Sequence, residues 1–114
     1  MNNYKKSSWM LTESESLDPK LSQKVFTSQN AMVVYYIYEA GLEFPEHSHP
    51  QEQVTIIQNG NLLLKIAGEN VELKKGDICS ISPNVVHSSV VLGEENVEAI
   101  SIFTPISDRV IINK

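Results

Sequence analysis

Seven short segments rich in β-branched and aromatic residues follow one another along most of this chain, and turn-forming residues separate them. Among the turns, Asn59-Gly60 predicts a β-hairpin, and residues 68–70, 75–77 and 93–96 have similar turn chemistry. Many short strands within one small domain leave a sandwich or a closed barrel as the possible folds. The predicted strands are residues 31–39, 53–58, 62–67, 71–73, 77–82, 87–92 and 97–103.

Helix-forming patterns are scarce in this sequence. No helix of any length is expected past Asn30, and only residues 14–24 have a helix-like composition, in which Asp18-Pro19 could open one short turn. An ordered surface loop is an equally good interpretation of that segment. We therefore expect a single domain with an N-terminal extension (1–30), a barrel core (about 32–105) and a C-terminal tail (106–114).

Length and composition exclude several classes of function. The 114 residues are 41% hydrophobic, which suits one globular unit with one core. The net charge is -5 and the nine basic residues are scattered, so a nucleic-acid surface is not expected. The lone Cys79 cannot form an intramolecular disulfide, and we interpret it as a small core hydrophobe. No run of about 20 apolar residues and no secretory signal is present, which predicts a cytoplasmic protein without a membrane partner.

The three histidines are the strongest functional signal. His47 and His49 form a His-x-His pair, which on a strand points both rings to the same face, and imidazole is a common metal ligand. An unbroken strand would place His49 and Gln53 roughly 13 Å apart, so the chain must bend at residues 50–52 if both are to reach one ion. His87 must then come from a neighbouring strand. The pattern predicts a metal site inside a closed antiparallel sheet.

These residues resemble the two sequence motifs of the cupins. The first motif matches at every spacing, through Gly41, His47, His49, Gln53 and Gly60, with Gln53 in place of the usual Glu. In the second motif Gly76 and His87 keep the register, whereas Ser82, Asn84 and Val91 stand where Pro, Gly and Asn are usual.

The resemblance implies an all-β fold, the double-stranded β-helix or jelly-roll barrel. It also implies that one divalent metal ion is bound inside the barrel. The implied ligands are His47, His49, Gln53 and His87. Glu52 is the rival to Gln53 because a carboxylate is the better anionic oxygen donor, but strand parity favours Gln53.

Within the cupins, residues 47–55, 83–87 and 102–105 look most like the KdgF-type proteins of pectin and alginate breakdown. That family opens unsaturated uronate monosaccharides to the linear keto form with a three-His, one-Gln metal site. Phe103 matches an aromatic pocket residue of the family. The family also has an Asp and an Arg assigned to the chemistry, and this chain has Ser101 and Ser107 at those positions.

Other side chains could replace the missing acid and base. Tyr35, Tyr36 and Tyr38 either pack the barrel or include one that points into the pocket. Asp108 and Arg109 either form a solvated pair or substitute for the lost Asp and Arg if the tail folds over the barrel mouth.

The implied ligand set has chemical consequences. Four neutral ligands leave both charges of the ion uncompensated, so the site should attract a small anionic ligand such as a sugar acid or keto acid. Nitrogen and oxygen donors suit nickel, zinc, iron or manganese. Three hypotheses follow: a metal-dependent isomerase or lyase acting on a uronate-like substrate, a cupin-type dioxygenase, and a non-catalytic ligand-binding cupin. Protection of exposed sheet edges makes a homodimer our expectation, with residues 10–24 or 110–114 as the exchanged segment.

Overall fold

The structure is a computed structural model that describes residues 3–106. Its regular elements are one short 3₁₀ helix and ten β-strands. The helix is Trp9–Leu11, and the strands are β1 (Glu15–Asp18), β2 (Leu21–Thr27), β3 (Met32–Tyr38), β4 (Glu43–His47), β5 (Glu52–Asn59), β6 (Asn61–Ile66), β7 (Glu69–Leu73), β8 (Ile78–Ile81), β9 (His87–Leu92) and β10 (Val97–Thr104).

The strands form two antiparallel sheets. The larger sheet has the order β1-β2-β3-β10-β5-β8 and the smaller has the order β4-β9-β6-β7. From β3 onwards the chain crosses between the sheets at every connection except β6–β7, so strands that are adjacent in sequence mostly lie in different sheets. This is the jelly-roll arrangement, and it confirms the predicted fold class.

The core lies between the two sheets and follows strand alternation. On β3 every second residue, from Met32 to Tyr38, is buried, and β9 and β10 show the same alternation. Both sheets supply apolar side chains, such as Val34 and Ile57 from the larger and Leu62 and Leu64 from the smaller. Fully burying an aliphatic side chain of this size contributes about 1.5–3 kcal/mol.

The prediction for residues 14–24 was wrong in both of its forms. The segment is neither a helical turn nor a loop: β1 and β2 form a hairpin around Pro19-Lys20, and the Lys20 N–H donates to Asp18 Oδ1 over 3.2 Å. β2 then pairs along its whole length with β3. The pairing overrides a weak local preference, because it satisfies the backbone groups of β2 and buries Leu21.

The Asn59-Gly60 hairpin is also corrected by the structure. β5 and β6 are consecutive but lie in different sheets. Gly60 therefore connects the two sheets and does not join two paired strands. Gly60 has φ +82°, and a Cβ built there would lie 2.5 Å from the Asn96 carbonyl oxygen. The next strand pair does form a hairpin, with its turn at Ala67-Gly68 between β6 and β7.

Within residues 3–106, no helix has the length and apolar character needed to cross a membrane.

We predict that Gly60→Ala lowers the free energy of unfolding by about 2 kcal/mol more than Gly93→Ala, measured by urea denaturation of the metal-free protein. Both glycines have positive φ, so both substitutions carry the backbone cost of about 1 kcal/mol. Only Gly60 has backbone atoms of another segment inside the space of the new Cβ, whereas nothing lies within 4 Å at Gly93. Equal losses would show that the crossing tolerates a side chain.

Candidate metal centre

A β-bulge on β4 turns His47 into the space between the sheets. Phe44 pairs with Ser89 and His47 pairs with His87, so β4 uses three residue steps where β9 uses two. Without the extra residue, strand alternation would point Glu46 inward together with Phe44. Pro45 suits this place because it has no N–H to give to a ladder. The Pro45 carbonyl instead accepts a hydrogen bond from His47 Nδ1 over 2.9 Å.

His49 lies in the connection between β4 and β5, where the sequence predicted a bend. The strand ends at His47 and the next begins at Glu52, which gives the chain four residues in which to turn back. The Asn84 N–H donates to the His49 carbonyl over 2.8 Å and ties this connection to the β8–β9 turn. Asn84 has φ +67°, a conformation that asparagine tolerates better than most residues. This explains how it can occupy the glycine position of the motif.

Gln53 and Phe103 approach the histidines from the larger sheet. They are register partners on β5 and β10, and both are buried. Gln53 Oε1 lies 3.0 Å from His49 Nε2, and the Phe103 ring packs edge-on against the His49 ring with centroids 5.5 Å apart. The candidate centre is therefore assembled from both sheets and the connection between them.

The three imidazoles share one hydrogen-bonding arrangement. In each, Nδ1 faces a backbone carbonyl two residues away: Pro45 for His47, Gln51 for His49 and Val85 for His87, at 2.9 to 3.1 Å. A ring that donates its Nδ1–H in this way leaves Nε2 with a free lone pair, which is the arrangement found at metal-binding histidines. Potential ligand atoms of the three rings lie within 4.8 Å of one another.

Two details of the hydrogen bonding fit a cation in the centre. His87 Nε2 is buried and has no hydrogen-bond partner. His49 has an oxygen acceptor at each nitrogen, Gln51 O at Nδ1 and Gln53 Oε1 at Nε2, yet a neutral imidazole carries only one N–H. A cation between Nε2 and Oε1 would use both lone pairs at once. The side chains present are therefore compatible with a divalent metal ion.

The electrostatics favour neutral, ligating imidazoles. The pKa of His87 is lowered to about 4, mainly by burial and to a smaller extent by the neighbouring His47 and His49, against the opposing effect of the Val85 carbonyl. Burial is also the main cause that lowers the pKa of His47. Both rings are consequently uncharged at neutral pH, and a metal ion need not displace a proton from them.

The pocket above the histidines is small, and no acidic or basic side chain other than the histidines lines it among the described residues. Its free volume is about 30 Å³, enough for an ion with one or two water molecules. Among the described residues, no Asp, Glu, Lys or Arg lines it. Besides the predicted ligands, the residues that line it and carry a hydroxyl are Tyr36, Tyr38 and Ser89, and its apolar lining is Leu21, Phe44, Leu64 and Phe103.

Strand alternation places the three tyrosines of β3 on two opposite faces of the sheet. Tyr36 and Tyr38 are buried and line the pocket, with ring centroids 5.5 Å apart. Burial raises the pKa of both hydroxyls, so they stay protonated. Tyr35 points to the opposite face, where it packs against Trp9 and donates a hydrogen bond to Glu98.

Other candidates of the sequence lie away from the pocket. Glu52 is exposed on the face of β5 opposite to Gln53. Cys79 is half-buried on β8 and packs against the apolar core, outside the histidine cluster. Ser101 is fully buried behind Thr55 and does not line the pocket. Ser107, Asp108 and Arg109 lie outside the described residues.

Comparison with known proteins agrees with the fold. A family model described as the cupin domain matches residues 34–103, and the chain belongs to this family. A search of curated protein sequences gives no significant match.

Several solved structures are similar to this chain. An RmlC-like cupin from Shewanella frigidimarina is 24% identical, with a TM-score of 0.82, and the match covers 92% of this chain and 94% of the other. KdgF from Halomonas sp. is 21% identical, with a TM-score of 0.81 and coverages of 93% and 100%. A predicted oxalate decarboxylase from Thermotoga maritima is 16% identical, with a TM-score of 0.77 and coverages of 87% and 97%. At these identities the likeness establishes the shared fold alone.

We predict that the metal-free protein loses stability as the pH falls from 6.5 towards 4. The pKa of His87 is about 4 in the folded protein and 6.5 in the unfolded chain, so unfolding takes up a proton in this interval. The contribution is fully present above pH 6.5 and is lost on acidification. We expect about 2 kcal/mol, since one pKa unit corresponds to about 1.4 kcal/mol and water at the pocket mouth screens part of the effect.

Urea denaturation at pH 4.5 and pH 7 with a chelator present measures this loss. His87→Gln should reduce the difference between the two pH values. Identical pH dependence in the parent and in His87→Gln would contradict the assignment.

Proposed function

We propose that this cupin binds one divalent metal ion through Nε2 of His47, His49 and His87 and through Oε1 of Gln53. We propose further that it acts there on a small anionic sugar acid or keto acid, in a ring-opening or isomerisation reaction of the uronate type. The observation that carries the proposal is the convergence of three imidazoles, whose potential ligand atoms lie within 4.8 Å of one another and whose Nδ1 atoms each face a backbone carbonyl.

Charge balance supports an anionic ligand. Four neutral donors would leave the charge of a divalent ion uncompensated, and the described pocket lining offers no carboxylate to offset it. A substrate carboxylate or alkoxide oxygen would supply that negative charge. When bound, the ion would act as a Lewis acid that polarises a carbonyl or hydroxyl oxygen of the substrate.

Side chains of the protein must transfer the proton during the proposed reaction. Opening a cyclic hemiacetal breaks one carbon–oxygen bond, releases the hydroxyl proton and returns a proton to the opened product, so no co-reactant is consumed. Tyr36 and Tyr38 line the pocket, and because burial raises their pKa both hydroxyls stay protonated, so in this proposal one of them acts as the proton donor and not as a base. Phe103 forms an apolar wall beside His49, which limits the access of bulk water.

A second candidate function is metal-dependent ligand binding without turnover. One specific observation favours it: the described pocket lining has no ionised acid or base, and Ser101 is buried away from the pocket. Such a protein would hold an anionic ligand on the ion and release it unchanged.

We expect the purified protein to bind one divalent ion per chain, measured by elemental analysis and by titration with Co(II) or Zn(II). His47→Ala removes one of the proposed ligands and should weaken binding at least ~100-fold, whereas Gln53→Glu should keep the ion because a carboxylate can replace the amide oxygen. Glu46→Ala is the matched control, since Glu46 is adjacent but exposed. Binding in His47→Ala equal to that of the parent would refute the site.

We expect the metal-loaded protein to accelerate the decay of the ultraviolet absorbance of a 4,5-unsaturated uronate above its spontaneous rate. Tyr36→Phe or Tyr38→Phe should lower this rate by ~100-fold if its hydroxyl transfers the proton, while Tyr35→Phe, on the outer face of the same strand, should not. Decay at the spontaneous rate would reject the enzyme. Thermal stabilisation by the uronate without product would then identify a binding protein.

A further inference from the structure

A chain of buried polar side chains leads away from the pocket into the larger sheet. Gln53 Nε2 donates to Thr55 Oγ1 over 2.9 Å, and Thr55 Oγ1 lies 2.8 Å from Ser101 Oγ. Thr55 and Ser101 are register partners on β5 and β10, and both project into the core. Their exposed fractions are 1% and 0%. Because water does not reach the two hydroxyls, their hydrogen bonds are made within this series of buried side chains.

The direction of the hydrogen bonds follows from the amide. The Gln53 nitrogen can only donate, so Thr55 accepts there, and the Thr55 proton is then free to be donated to Ser101. In this arrangement Thr55 accepts from the amide nitrogen, and Gln53 Oε1 faces His49 Nε2. The reversed amide would present two N–H groups at the position proposed for a cation.

Core packing alone does not account for these two hydroxyls. Valine has nearly the shape of threonine, and alanine that of serine, and neither would need a hydrogen bond between the apolar sheets. Their neighbours on the inward faces of β5 and β10 are Ile57 and Ala99, which are apolar. A buried hydroxyl pair directly behind Gln53 is explained if it serves the orientation of that side chain.

We propose that Thr55, supported by Ser101, is a positioning residue that keeps the Gln53 carbonyl oxygen turned towards the metal ion. The inference rests on the metal site proposed above. It also gives Ser101 a role that does not involve contact with a substrate, since Ser101 is behind Thr55 and outside the pocket.

The test compares Co(II) affinity and the Co(II) absorption spectrum in the full chain. Thr55→Val leaves the Gln53 N–H₂ without its acceptor and should weaken Co(II) binding ~10–100-fold, with a changed spectrum. Thr55→Ser keeps the hydroxyl and should bind as the parent does. Ser101→Ala leaves Thr55 its accepting role and should cost less than Thr55→Val. Thermal unfolding of the metal-free variants checks that each one folds.

Introducing Thr55→Val into a Gln53→Glu variant distinguishes an effect on the orientation of the Gln53 amide from an effect on core packing. A carboxylate has two equivalent oxygens, so it has no wrong orientation to adopt. Thr55→Val introduced into Gln53→Glu should therefore change Co(II) affinity by less than ~3-fold. Equal losses in the Gln and Glu backgrounds would show that Thr55 acts through packing and would overturn the inference, as would unchanged affinity in Thr55→Val. If the parent binds no Co(II), the proposed metal site fails and this inference falls with it.

Discussion

The candidate centre depends on one extra residue in β4. The bulge between Phe44 and His47 shifts strand alternation by one position, so that Phe44 packs in the core and His47 still faces His87 across the β4–β9 ladder. The same irregularity frees the Pro45 carbonyl to hold the His47 ring. A regular strand would have placed Glu46 inside and His47 in solvent, and the three rings could not have met.

Burying three imidazoles and an amide carries a free-energy cost that the surrounding backbone offsets only in part. Three backbone carbonyls accept the Nδ1–H groups, and Thr55 Oγ1 accepts a hydrogen bond from Gln53 Nε2. His87 Nε2 has no hydrogen-bond partner. An unpaired buried polar atom costs about 1–3 kcal/mol. An ion bound beside His87 Nε2 and the two similar nitrogens would pair with this atom and offset that cost.

The positions where this chain departs from the KdgF-type pattern are informative in a different way. Ser101 stands where that pattern predicts an Asp, and its hydroxyl is part of a hydrogen-bond chain in the core and not in the pocket. Among the described residues, Tyr36 and Tyr38 are the polar residues that line the pocket besides the histidines, Gln53 and Ser89. The proposed chemistry consequently relies on neutral groups around a strongly charged ion, which favours binding of anions and leaves proton transfer to tyrosine.

Local pattern in the sequence was sufficient for the strands from Met32 onwards other than β4, and for the bend after His49, because alternation and turn residues act over a few positions. It was not sufficient for β1 and β2, whose pairing with β3 outweighs a weak helical preference. The sequence pattern also predicted a hairpin at Asn59-Gly60. The same turn residues occur between paired strands of one sheet and between strands of two sheets, so the pattern could not distinguish the two cases. Which tyrosines face the histidines, and that Thr55 and Ser101 meet behind Gln53, was decided by the tertiary structure, because strand register and sheet facing are set by long-range packing.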